Sequence, residues 1–415
     1  NRAGLPSNIS AYARGGGVYA AASNVTIAGT RVADNDAGGS GFDGFAQGGA
    51  IAHRGGSLAI VGSELVGNRA LGETGWGGAV RVVDTTATIV GSTLSGNRAD
   101  SSLYTSGGGA IDAVTSSLSI ATSTLSGNRA EGRYGTQGGA IRINAGRLAI
   151  EASTIHSNVA WSDASNAAGG GIYARAAVVG IVNATLSRNH ADAEGGAGGG
   201  GLYARAGTTT IVQSTIVANS LNGYAARGGG ITAAGATLVN SVVAGNSARI
   251  FGPGGDGQYN PDDAAGTIVS NGHNLFSTAV TGATASDLLV DPETLFEDVL
   301  GPLAGNGGPT LTHAPRPGSP AIDGGWTADA LAPDGTALTT DQRGFARVVG
   351  TAVDIGAVES EPPTAADDTA TTPQARPVLV DVLANDGAGV QLDGVITPPA
   401  HGLVLRLVDD GLAYL

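Results

Sequence analysis

The chain has 415 residues, of which 70 are glycine and only 4% aromatic, a composition suited to tight turns and thin packing rather than to a thick globular core. Its formal net charge of −14 argues against nucleic acid and anionic membrane as partners. Cysteine is absent, which excludes disulfides, thiolate metal sites and cysteine nucleophiles, and no apolar run approaches the roughly 18 residues of a membrane span. Lysine is absent too, so every long basic side chain is arginine. The chain starts at Asn1 without methionine and carries no apolar signal segment, so it reads as a mature or excised portion of something longer.

Residues 1–14 are polar and irregular and are expected to form an N-terminal cap or linker. From residue 15 the sequence states one pattern eight times: a Gly-Gly pair with a small residue, an aliphatic, a β-branched strand, then a box that ends in asparagine. The clearest copies run from Gly107-Gly108-Gly109-Ala110-Ile111 to Ser123-Thr124-Leu125-Ser126-Gly127-Asn128, and from Gly138-Gly139-Ala140-Ile141 to Ser153-Thr154-Ile155-His156-Ser157-Asn158. The closing asparagines are Asn35, Asn68, Asn97, Asn128, Asn158, Asn189, Asn219 and Asn246, spaced by 33, 29, 31, 30, 31, 30 and 27 residues. The opening aliphatics Val18, Ile51, Val80, Ile111, Ile141, Ile172, Leu202 and Ile231 keep the same beat.

A repeat of this length marks a solenoid, whose units bury their apolar faces only by stacking. Within a repeat the period is two: Leu118, Ile120, Ser123 and Leu125 fall on one side, Thr124 and Ser126 on the other. Nothing inside a repeat has the length or spacing of an amphipathic helix. The expected fold is therefore all-β, a right-handed parallel β-helix over residues 15–287, with the asparagines forming an internal ladder of amide hydrogen bonds. A ninth partial coil is expected around Thr267-Ile268-Val269 and Gly272-His273-Asn274-Leu275.

Gly-Gly-Ala-Ile followed by an apolar-x-x-Asn box resembles the repeats of bacterial polymorphic outer membrane proteins, in which a Phe often stands where Leu94, Leu125 or Ile155 stands here. That resemblance implies a secreted or cell-surface passenger with adhesive or structural duties.

Residues 288–360 change language. Asp291-Pro292, Gly301-Pro302-Leu303, Asn306-Gly307-Gly308-Pro309-Thr310, Pro317-Gly318-Ser319-Pro320-Ala321-Ile322-Asp323, Asp341-Gln342-Arg343-Gly344 and Val353-Asp354-Ile355-Gly356-Ala357-Val358-Glu359 follow in close order. This series is similar to the choice-of-anchor segment that follows β-helices in exported bacterial proteins, and is expected to act as a C-terminal cap. Residues 361–366 form a proline-stiffened linker. Residues 367–415, with Val378-Leu379-Val380-Asp381-Val382-Leu383 and a second apolar stretch at 403–414, resemble the opening strands of immunoglobulin- or cadherin-like adhesin modules. They are about half the length of a full sandwich, so the missing strands are expected either from a cut in the chain or from strand addition by a neighbouring copy.

Catalysis on a β-helix needs carboxylates converging from adjacent coils, or a calcium cluster beside a basic residue. In the file after the opening aliphatic (Tyr19, Ala52, Arg81, Asp112, Arg142, Tyr173, Tyr203, Thr232) the sole acid is Asp112. No catalytic residue and no obligatory cofactor is assigned. The histidines have no metal-ligand spacing, and Asp256, Asp262 and Asp263 offer calcium only an unspecific acidic loop.

The candidate binding residues are Arg142, Tyr173, Arg175, Tyr203 and Arg205, with Arg81 and Arg54 further along, expected to form an outward surface that stacks a sugar ring and pairs with an acidic group. The competing expectation is that loop acids such as Asp192 and Glu194 neutralise these arginines. Phe42, Phe45, Trp76, Tyr104, Tyr134, Trp161 and Tyr224 form a second candidate stripe, and Thr93, Thr124, Thr154, Thr185 and Thr215 an outward threonine file. The expected role is a secreted or cell-surface adhesin or structural element with itself or surface glycans as partner; the alternative is a polysaccharide-binding or polysaccharide-degrading β-helix.

Overall fold

A computed structural model describes residues 2–5, 12–39, 44–251, 257–360, 366–373, 376–384, 403–406 and 412–414. Asp256, Phe42, the linker at 361–365 and most of the interior of the last module lie outside them. The chain is a parallel β-helix with four strands per coil. The first strand is long, as in Val80–Val90, Ile111–Ala121 and Ile141–Glu151; the second is a three-residue strand such as Thr93–Ser95 or Thr124–Ser126. The third has four residues, as in Arg98–Ser101 and Arg129–Gly132, and the fourth two or three, as in Thr74–Trp76 and Ser106–Gly107. Each strand pairs in parallel with its equivalent one coil on, giving a long sheet, a threonine sheet, an alanine sheet and a short sheet.

Register is kept residue for residue: Val80, Ile111 and Ile141 stack, as do Leu94, Leu125 and Ile155. These aliphatics form one continuous buried core from Ile51 to Phe276. The alanine sheet contributes Ala70, Ala99, Ala130, Ala160 and Ala191, buried and stacked in register. A ninth partial coil is present: Ala264–Ser270 pairs with Ile231–Val239, and Leu275–Phe276 with Val242–Ala244.

The Gly-Gly signature has two separate causes. Gly108 has φ 63°, the left-handed corner between the short and long sheets. At Gly109 a Cβ would lie 2.1 Å from the carbonyl oxygen of Gly139, the next coil's equivalent, so the coils can stack there only without side chains.

At the opposite corner the asparagines form one file. Asn128 donates from its backbone N–H and from Nδ2 to Oδ1 of Asn158, both at 2.9 Å, and from Nδ2 to the Leu94 carbonyl at 2.9 Å. Its own Oδ1 accepts the same two donors from Asn97. The pattern runs from Asn35 to Asn246 and ends on Asp263, whose Oδ1 accepts from Asn246 N and Nδ2 at 3.2 Å. A second file of serines, Ser63, Ser92, Ser123 and Ser153, accepts the backbone N–H of the coil before at the corner between the long and threonine sheets.

Residues 288–360 run along the flank of the later coils, against the threonine sheet. Thr154 donates to the Leu311 carbonyl, Thr185 Oγ1 donates to Gln342 Oε1 at 2.6 Å, and Thr215 Oγ1 accepts from Ala357 N–H at 3.0 Å. The corner residues Asn183, Gln213 and Asn240 receive Thr340, Arg347 and Trp326. Leu295, Val299, Leu300, Ala321 and Ile355 seal the join against Val217, Val242 and Ala244. Thr154, Thr185 and Thr215 are therefore covered, while Thr93 and Thr124 stay half-exposed. Near the C-terminus Val378–Val380, Leu412–Tyr414 and Val404–Arg406 form a small antiparallel sheet with the 412–414 strand in the middle.

Candidate functional site

The candidate residues sit where the long sheet meets the short sheet, a concave seam along the rod. The register stacks Tyr19, Ala52, Arg81, Asp112, Arg142, Tyr173, Tyr203 and Thr232 in one file. Arg175 and Arg205 belong to a different file two residues along: Arg175 is level with Asn144, and Arg142 with Tyr173. The expected outward surface is therefore split, with Arg142 two residues along the strand from the file of Arg175 and Arg205.

The seam is also more buried than simple strand alternation implies. Glycines of the short sheet let the file's side chains lie flat across it: a Cβ on Gly107 would meet Arg142 Cδ at 2.5 Å, and one on Gly198 would meet the Tyr203 ring at 2.6 Å. Tyr173 is only 2% exposed and stacks on Tyr203 with ring centroids 5.7 Å apart and planes within 3°. Arg142 donates to Gln137 Oε1 at 2.8 Å and to Asp112 Oδ1 at 2.7 Å, and lies over the Trp76 ring at 4.3 Å. Asp112, fully buried, is shared with Arg81, whose Nη1 is 3.2 Å from its second oxygen. Burial lowers the Arg81 guanidinium pKa, and Asp112 opposes that shift. Both carboxylate oxygens of Asp112 are thus engaged by arginine, one by Arg142 and one by Arg81.

Neither Asp192 nor Glu194 supplies the counter-charge expected of them. Asp192 approaches His190 at 3.8 Å on the alanine sheet, and both acids line another recess with Trp161 and Tyr224. That sheet carries a network the sequence reading missed: Arg69 pairs with Asp100 at 2.7 Å, Arg98 bridges Asp100 and Glu131, and Arg129 reaches Glu131 at 3.0 Å. The signal was the recurring Asn-Arg-Ala, since each arginine follows a ladder asparagine. The aromatic stripe splits in the same way, with Trp76 under Arg142, Trp161 under Arg129, and Tyr104, Tyr134 and Tyr224 exposed.

What remains open to a ligand beside the candidates is a cleft of about 310 Å³ lined by Tyr134, Gln137, Asn166, Tyr203 and Arg205 among others. Among the described residues no three His, Asp or Glu side chains gather as a metal site. Asp262 and Asp263 serve the rod instead: Asp262 accepts from Gly228 N–H at 2.8 Å, and Asp263 Oδ2 accepts from the N–H and hydroxyl groups of Ser277 and Thr278.

No family model matches this chain, and comparison with curated proteins and with solved structures finds no significant match.

Proposed function

We propose that the chain is a secreted or cell-surface bacterial protein in which the β-helix acts as a stiff adhesive or structural rod. The observation that carries this reading is the uninterrupted file from Asn35 to Asp263, which spends the side chains of every coil on joining that coil to the next. The likeness of the repeats to polymorphic outer membrane proteins, and of residues 288–360 to choice-of-anchor segments, supports an exported setting. The last module's resemblance to adhesin sandwiches supports assembly through strand addition. No catalytic role is part of this reading, because the seam's one acid is consumed by Arg81 and Arg142. Electron microscopy of the purified chain is expected to show rods joined end to end, with no new reducing ends or unsaturated product on pectin or alginate; monomeric particles together with uronide cleavage would refute it.

The cleft beside Tyr203 and Arg205 favours a second reading, a rod that holds a glycan on its seam. Arg205→Ala is then expected to weaken retention on an acidic polysaccharide column at unchanged melting temperature.

A further inference from the structure

Ala52 is the smallest residue of the seam file, and its neighbours one coil before and one coil after are Tyr19 and Arg81. Coils rise by about 4.8 Å, so the missing side chain opens a notch roughly two coils tall between the tyrosine and the guanidinium. The notch has a volume of about 170 Å³, and Arg14, Gln47, His53, Arg54 and Val83 complete its walls. No acid lines it.

Three arginines therefore face one recess in a chain of net charge −14. Two of them have counter-charges, which do not line the recess. Arg54 has Asp84 at 3.9 Å, with both side chains mostly exposed, and Arg81 shares Asp112 with Arg142. Among the described residues, the buried Nε atoms of Arg14 and of Arg81 have no hydrogen-bond partner. A buried cationic N–H without an acceptor is costly, and an oxyanion in the notch would satisfy it while relieving the repulsion between like charges. Tyr19, half-exposed and next to Arg14 at 5.9 Å from its ring centroid, offers a flat apolar face at the rim.

We infer that this notch binds the acidic group, carboxylate or sulfate, of an acidic glycan, with Arg14, Arg54 and Arg81 meeting the anion and Tyr19 meeting the sugar ring. The site lies at the other end of the seam from the Tyr203 cleft and stands or falls independently of the rod's structural role.

Titration calorimetry of the whole chain tests it with trigalacturonate, a heparin-derived tetrasaccharide and neutral maltotriose. At least one acidic probe is expected to bind saturably and maltotriose not; trigalacturonate alone would identify a carboxylate ligand and the tetrasaccharide alone a sulfate. Ala52→Leu, which fills the notch and leaves every charge in place, is expected to weaken binding about 10-fold or more, and Arg54→Gln on the exposed rim to weaken it with little effect on folding. Failure of both acidic probes to bind, equal binding of maltotriose, or wild-type affinity in both variants would overturn the assignment. Loss of the measured affinity in Arg205→Ala, with Ala52→Leu binding as wild type, would assign it to the Tyr203 cleft and overturn the notch.

Discussion

Asn128 uses all four hydrogen-bonding positions of its side-chain amide, two as donor and two as acceptor, and each of those bonds leads to another coil. The file has a direction, since each asparagine donates to the Oδ1 of the asparagine one coil later, and only an acceptor can close it. Asp263 does so, and its second oxygen collects the donors of Ser277 and Thr278. Asn128→Asp would aim a carboxylate oxygen at the Leu94 carbonyl and at Asn158 Oδ1, and is expected to cost about 3 kcal/mol or more. Asp263→Asn would turn an NH₂ toward donors and is expected to cost about 2 kcal/mol or more. Urea unfolding of the two variants checks both, and unchanged midpoints would show that the file is not a chain of bonds. One residue before each asparagine the backbone is left-handed: Gly67, Gly96, Gly127 and Gly245 hold that corner, and so does Ala218 with φ 56°. Ala218→Gly is expected to stabilise the chain by about 0.5–1 kcal/mol, read as a raised melting temperature; a lowered one would contradict the conformational argument. The asparagines and glycines were legible because a corner imposes the same demand in every coil. The Arg-Asp-Arg triad was not, because it arises between residues about thirty apart whose facing depends on register.

At the scale of elements, the strand order and the ninth coil were readable from periodicity, whereas the path of residues 288–360 was not. That segment has no repeat, and its anchors reach Thr154 and Thr185, which strand alternation alone assigns to solvent, and the corner residues Gln213 and Asn240. Buried titrating groups hold it. His313, between Ser187 Oγ at 3.0 Å and the Gly301 carbonyl at 2.8 Å, is lowered to about 4 by burial, with Arg188 adding to the shift. Glu359 is raised to about 7 by burial, against the pull of nearby Arg347 and with Asp354 adding to the rise. The folded state thus favours neutral His313, whose share of stability is present above the ordinary histidine value and is lost as pH falls toward 4. It also favours protonated Glu359, whose share is present below the ordinary glutamate value and fades as pH rises through 7. The melting temperature is expected to be highest between these limits, and Glu359→Gln to flatten the alkaline limb while sparing the acid one. An alkaline limb unchanged in Glu359→Gln would assign it to other groups.

The whole molecule is a rod whose outer faces differ. One flank is covered by residues 288–360, the alanine sheet carries an ion-pair network, and the seam concentrates arginine and tyrosine. Function was less legible than fold for a physical reason: a coil-to-coil contact is set by repetition, but a ligand site depends on where repetition fails, as at Ala52 among larger neighbours. The winding itself is the premise of every site described. Ala28, Val61, Val90, Ala121 and Glu151 stack in register through five coils, with Ala28 and Glu151 both exposed at the two ends of that stack. Because the chain has no cysteine, spin labels can be placed at Ala28→Cys and Glu151→Cys alone. Pulsed dipolar spectroscopy is expected to give one narrow distance near 2 nm, four coil rises of about 4.8 Å each. A broad distribution, or a distance beyond about 3 nm, would contradict the stacked winding on which the account depends.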